Sequence, residues 1–158
     1  MRERIGACWS GEILWDCPLA GYSTLKVGGP ADALIAPADR GELVRLLGCL
    51  SAAAVPWRII GRGSNIVVAD QGVEGVVIVL GREFAAIREL PAERGRLVEV
   101  EAGCTLAKLG RWCQERGLSG LEFASGIPGT VGGATGDHHL QFRGRLGTAS
   151  MRSTTAQA

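Results

Sequence analysis

Ile59-Ile60-Gly61-Arg62-Gly63-Ser64-Asn65-Ile66-Val67-Val68 joins two short apolar runs through a five-residue turn. Trp57 to Ile60 and Ile66 to Val68 are rich in β-branched residues and read as buried strands. Between them, Gly61 and Gly63 have no side chains to cover the backbone N–H groups. Glycine also admits the positive φ values that aim successive N–H groups into one concavity. Ser64 and Asn65 add side-chain donors at the same spot. Such a turn suits a phosphate, and it equally suits a glycine-rich turn with no ligand. These residues leave both readings open, because a strand rather than a helix N-terminus is expected to follow.

Upstream, Asp39-Arg40-Gly41-Glu42 has the spacing of a capping box, with Asp39 as N-cap and Glu42 reaching back. Leu43, Leu46, Leu47 and Leu50 follow at helical spacing, predicting a helix to about Ala54 that Pro56 ends. A short strand, Ala33 to Ala36, precedes this helix and Trp57 starts the next strand. The result is a β–α–β unit compatible with a right-handed crossover between parallel strands. Earlier still, Tyr22 to Val27 reads as a strand closed by Gly28-Gly29-Pro30. Residues 1–20 show an apolar face without a clear period, with Ile13, Leu14 and Trp15 placed to cap the domain.

Downstream, Val76 to Leu80 reads as a buried strand between Gly75 and Gly81. Phe84 to Leu90 and Leu97 to Glu101 flank the turn-rich Pro91-Ala92-Glu93-Arg94-Gly95 and predict a hairpin. Thr105 is the expected N-cap of a helix over Leu106 to Arg116, and Gly117 its left-handed stop. Leu106, Leu109, Trp112 and Cys113 share one face of that helix, which makes Trp112 a core residue rather than a stacking platform. A second loop follows, Gly126-Ile127-Pro128-Gly129-Thr130-Val131-Gly132-Gly133-Ala134. From Thr135 to Ala158 periodicity is lost and large apolar residues are few, so a disordered tail is expected. His138-His139 has no carboxylate or thiol at ligand spacing and does not read as a metal site.

Composition narrows the function classes. At 158 residues the chain is long enough for a domain with a real core, and 46% hydrophobic content is that of a soluble protein. Seventeen basic and 16 acidic residues give a net charge of +1, so nothing favours nucleic acid or an anionic membrane. No apolar run approaches the length of a membrane span, and the start lacks a signal-peptide core. A cytoplasmic protein is expected. The five cysteines, at 8, 17, 49, 104 and 113, are odd in number and show no CxxC spacing. Reduced thiols without metal are the expectation. The 24 glycines are about twice the usual share and cluster in the two loops.

Taken together, the two loops resemble the flavin-binding half of the UDP-N-acetylenolpyruvoylglucosamine reductase family. Tyr22-Ser23-Thr24-Leu25-Lys26-Val27-Gly28-Gly29-Pro30-Ala31, Glu101-Ala102-Gly103 and Gly117-Leu118-Ser119-Gly120-Leu121-Glu122-Phe123 match its pattern in order and spacing. The resemblance implies an α+β fold, the FAD-binding fold of the vanillyl-alcohol-oxidase (PCMH) type, here incomplete. Residues 1–134 would form the FAD-binding domain as two small α/β subdomains, with 135–158 departing from the family. It implies FAD and NADPH as cofactors, with hydride passing through the flavin to the enolpyruvyl double bond of a UDP-sugar in peptidoglycan synthesis. Gly61, Arg62, Gly63, Ser64 and Asn65 would cradle the FAD pyrophosphate, Arg62 either offsetting phosphate charge or standing solvated. Ile127, Pro128, Gly129 and Thr130, with Gly132 and Gly133, would hold the second side, Thr130 as a hydroxyl donor. In the family the second loop continues into Asn-Ala-Gly-Ala-Tyr-Gly-Gly, and here it does not. The family's catalytic arginine, serine and glutamate have no counterpart in this chain, so no catalytic residue is assigned. The leading expectation is therefore a truncated reductase, inactive alone; a non-catalytic flavin or nucleotide-binding module and a ligand-free protein are the alternatives.

Overall fold

The computed structural model describes residues 1–91 and 96–136 and divides into two compact units, Met1–Glu83 and Phe84–Ala158. Both units contain helix and sheet, as the α+β expectation requires.

In the first unit, helix α1 (Arg2–Cys8) and strands β1 (Leu14–Pro18) and β2 (Pro30–Ile35) precede helix α2 (Arg40–Ala52), with β3 (Trp57–Ile60) and β4 (Val73–Val79) after it. The strands lie in the order β1-β2-β4-β3, antiparallel at β1/β2 and parallel elsewhere. The expected β–α–β unit is present, but β4 lies between β2 and β3 and pairs with both. That central position explains the unbroken burial of Val76, Val77 and Ile78, all at most 1% exposed. One face of the sheet, through Ala33, Ile35, Val76 and Ile78, packs with Ile5, Leu46, Leu50 and Val55. The other gathers Cys17, Leu19, Ala31, Leu34 and Val77.

Capping makes α2. The Asp39 carboxylate accepts from the Glu42 N–H at 2.8 Å, and the Glu42 carboxylate accepts from the Ala38 N–H at 2.7 Å. The helix ends before Pro56, in a Schellman turn: Val55 N–H donates to the Leu50 carbonyl, Ala54 N–H to that of Ser51, and Ala54 sits at φ +48°. Between the pairs Ala31↔Val73 and Ala33↔Val76 the ladder takes in one extra residue on β4. Gly75 allows this at φ +86°, its N–H held by the Asp32 carboxylate at 2.8 Å.

Four expectations fail in this unit, the first being the burial of β3, an edge strand whose Ile59 is 41% exposed. Tyr22 to Val27 forms no strand; a 3-10 turn over Leu19–Tyr22 leads into a tight turn. Ser23, 2% exposed, accepts from the Leu25 N–H through its hydroxyl, so the side chain replaces ladder bonding there. Ile66 to Val68 forms no strand either, and Val67 is 76% exposed. Its β-branched residues flank a segment whose backbone meets the glycines at 28 and 29, as in the Gly29 N–H to Ala69 carbonyl bond, and no ladder is built. Finally, Cys8 and Cys49 are joined in a disulfide with a Cα–Cα separation of 5.4 Å, whereas Cys17, Cys104 and Cys113 are free and buried. The reduced-thiol expectation missed this because packing of α1 on α2, not sequence spacing, brings the two sulfurs together.

In the second unit, β5 (Ile87–Leu90) and β6 (Leu97–Val100) form the expected antiparallel hairpin, from Ile87↔Val100 to Leu90↔Leu97. Helix α3 (Leu106–Glu115) begins at Thr105, whose hydroxyl accepts from the Lys108 N–H at 3.1 Å. It closes in a Schellman turn with Gly117 at φ +62°, Leu118 N–H reaching the Cys113 carbonyl. Leu106, Leu109 and Cys113 are buried with Cys104, Ala124 and Val131, and Trp112 packs against this cluster. The second glycine stretch is only partly a loop, because α4 (Val131–Gly136) starts within it. Thr135 and Gly136 belong to α4, Thr135 donating to the Val131 carbonyl; the rest of the expected tail, with His138 and His139, lies outside the described residues. No described helix is long and apolar enough to cross a membrane.

Candidate functional site

The turn after β3 is built against the segment that follows β1. Gly63 is buried at φ +64°, and its carbonyl accepts from the Thr24 N–H at 3.0 Å. A Cβ at Gly63 would lie 1.8 Å from the Tyr22 carbonyl oxygen. The glycine is thus required by a backbone crossing, whether or not a ligand is present. Among the described residues, no hydrogen bond takes up the N–H groups of Arg62, Gly63 or Ser64. Three successive N–H groups around a left-handed glycine are the makings of an anion nest.

Beside this turn lies a cleft of ≈ 390 Å³ lined by Gly21, Tyr22, Ser23, Thr24, Lys26, Gly61 and Arg62. That is toward the small end of ligand sites, enough for one part of a dinucleotide. Its lining holds two cations and no acid. Neither Lys26 nor Arg62 forms an ion pair among the described residues. Lys26 sits at φ +56°, held by its N–H bond to the Ser23 carbonyl at 3.1 Å. Burial pushes the Tyr22 phenol above its ordinary pKa, so it is a neutral hydroxyl at physiological pH. The structure therefore joins the Tyr22–Lys26 motif to Gly61 and Arg62 in one unit. Lys26 was not among the residues expected at the phosphate; the basic side chain in a serine/threonine turn was the available signal.

Ile127, Pro128, Gly129, Thr130, Gly132 and Gly133 lie in the second unit. Gly129, at φ +119°, has open space around its Cβ direction, and its carbonyl accepts from the Leu106 N–H. Thr130 is 3% exposed, and its hydroxyl accepts from the Gly133 N–H at 3.3 Å, starting α4. The oxygen keeps its proton to donate. Gly132 has a packing role: its N–H donates to the Ala102 carbonyl at 2.8 Å, and a Cβ there would lie 2.7 Å from that of Ala102. Gly132→Val is expected to push α4 off Ala102 and destabilise the second unit by about 1–3 kcal/mol, read in a urea melt. Burial also raises the thiol pKa of Cys104 and Cys113, which keeps both protonated and unreactive in the folded chain.

Comparison with known proteins bears on this geometry. The family described as FAD binding domain matches residues 31–150, a stretch that runs beyond Ala134. The chain is 48% identical over 124 residues to UDP-N-acetylenolpyruvoylglucosamine reductase 1 of Bacillus cereus, covering 78% of this chain and 40% of that protein. It is 42% identical over 135 residues to the UDP-N-acetylenolpyruvoylglucosamine reductase of Syntrophus aciditrophicus, covering 85% of this chain and 43% of the relative. Among solved structures, the UDP-N-acetylenolpyruvylglucosamine reductase of Thermus caldophilus matches with a TM-score of 0.55 at 37% identity, over 78% of this chain and 40% of that one. The chain thus spans about two fifths of the length of the curated relatives it matches.

Proposed function

Since the chain belongs to the FAD binding domain family, an α+β fold of the vanillyl-alcohol-oxidase type, we propose that it is the flavin-holding part of a UDP-N-acetylenolpyruvoylglucosamine reductase. In this reading the whole enzyme uses NADPH to reduce a UDP-N-acetylglucosamine enolpyruvate in peptidoglycan synthesis. FAD, when bound, supplies the hydride chemistry, and the protein supplies position and electrostatics. Similarity to reductases of that name over 78% of the chain supports the reading.

The observation that carries the FAD site is the run of N–H groups at Arg62, Gly63 and Ser64 beside the cations of Lys26 and Arg62. Backbone donors and two positive charges suit a pyrophosphate, with Ser64 and Asn65 adding side-chain donors. Thr24 would add a hydroxyl from the cleft wall. Ile127, Pro128, Gly129 and Thr130 are assigned to the second side of the cofactor. Gly132 and Gly133 support it by seating α4.

The test is titration of FAD into the apo chain by fluorescence quenching, with the wild type and with Lys26→Ala and Arg62→Ala. Each substitution is expected to weaken binding about 3–10-fold, with a smaller loss at high salt because the cations are solvent-reachable. Saturable binding that neither substitution affects would remove this cleft from the site. No binding at all would overturn the flavin reading.

A further inference from the structure

The Cys8–Cys49 bridge is not among the residues that line the cleft. It ties α1 to α2 across 41 residues of sequence. The rest of that docking is slight. Ile5 is fully buried in the core cluster with Leu46 and Leu50. Arg4 donates to the carbonyls of Ala53 and Ala54, which cap α2, and Arg2 pairs with Asp16 at the surface. A seven-residue helix is too short to persist on its own in water. The exposed ion pair adds little. Both half-cystines are partly exposed, in contrast to the buried Cys17, Cys104 and Cys113.

We propose that Cys8 and Cys49 are an exchangeable thiol–disulfide pair that latches α1 onto the core, opened by a low-molecular-weight thiol and closed by its disulfide. A thiolate of the small molecule attacks one bridge sulfur, forming a mixed disulfide and releasing the other cysteine as a thiolate, which takes up a proton. A second small thiolate attacks its counterpart in the mixed disulfide and frees the remaining cysteine. The bridge gains two electrons and two protons, and two small thiols become one small disulfide. Once opened, α1 is held by Ile5, by Arg4, and by Arg2 on Asp16 and the Trp15 ring, and its release uncovers the side of the cluster containing Leu46 and Leu50. The chain-entropy relation puts the effect of opening a loop of this length at roughly 10²–10³ in the folded-to-unfolded ratio.

The experiment uses the full chain. Titrated in denaturant with Ellman's reagent, it is expected to show three thiols without reductant, those of Cys17, Cys104 and Cys113, and five after dithiothreitol. Five thiols without reductant, in protein purified without it and treated with oxidised dithiothreitol, would overturn the proposal. Hydrogen exchange is then followed by mass analysis in reduced and oxidised dithiothreitol. Amides of residues 2–8 are expected to exchange about tenfold or more faster when reduced and to slow again on reoxidation. Amides of α3 serve as the internal reference. Equal exchange at residues 2–8 in both states, or a change that reoxidation does not reverse, would overturn the latch. The Cys8→Ser, Cys49→Ser double variant is expected to stay in the fast-exchanging state with either reagent. The wild-type comparison decides the matter even where that variant does not fold.

Discussion

Gly63→Val is expected to destabilise the first unit by about 3 kcal/mol or more and to abolish FAD binding with it. Two costs combine. The residue sits at φ +64°, where a β-branched side chain is strained. Its Cβ would also lie 1.8 Å from the Tyr22 carbonyl oxygen, a backbone atom that cannot swing aside. Relieving the overlap means parting the two segments, and that breaks the Thr24 N–H bond to the Gly63 carbonyl. From the sequence alone, this substitution would be expected to block a phosphate and leave the apo fold mostly intact. The crossing with Tyr22 replaces that expectation with a coupled loss. Gly48→Ala is the control: Gly48 is an exposed position inside α2 with nothing within 4 Å of its Cβ direction. It should gain about 0.5–1 kcal/mol from helix propensity. Urea melts of both variants read the result, and a Gly63→Val midpoint close to the wild type would refute the account of the crossing.

The 158-residue chain, assayed alone with FAD and NADPH, is expected to show no turnover that depends on UDP-N-acetylglucosamine enolpyruvate. The residues matched amount to 40% of the Bacillus cereus relative. Reduction of the enolpyruvyl bond needs a proton donor and groups that stabilise charge on the substrate carboxylate. The resemblance assigns these to an arginine, a serine and a glutamate without counterparts here. Losing a single such preorganised donor commonly costs about 10²–10³ in rate, and a flavin-holding part alone, as proposed above, would lack several together. NADPH absorbance should therefore fall slowly and at the same rate with or without the UDP-sugar, and no muramate product should form. Substrate-dependent turnover at ordinary enzyme rates would overturn this expectation.

Much of the fold was legible because its signals are local. Asp39 and Glu42 announce α2 within four residues, Thr105 and Gly117 bracket α3, and the run Val76 to Ile78 marks a strand buried on both faces. The turn after β3 was legible for the same reason, since two glycines fall within five residues. Tyr22 to Val27 and Ile66 to Val68 misled because propensity says only that a residue fits a pleated surface, and neither segment found a ladder to join.

The amino-acid order alone settled the caps, the hairpin over β5 and β6, and the family resemblance, all of which rest on residues close together in the chain or on motifs in register. Tertiary structure decided what depends on distant segments meeting. It inserted β4 between β2 and β3, set Gly63 under the Tyr22 carbonyl, brought Lys26 to the cleft with Arg62, and joined Cys8 to Cys49. The physical reason is that these contacts follow from the packing of helices and strands on a common core, and no spacing within any one segment encodes which distant residues that packing brings together.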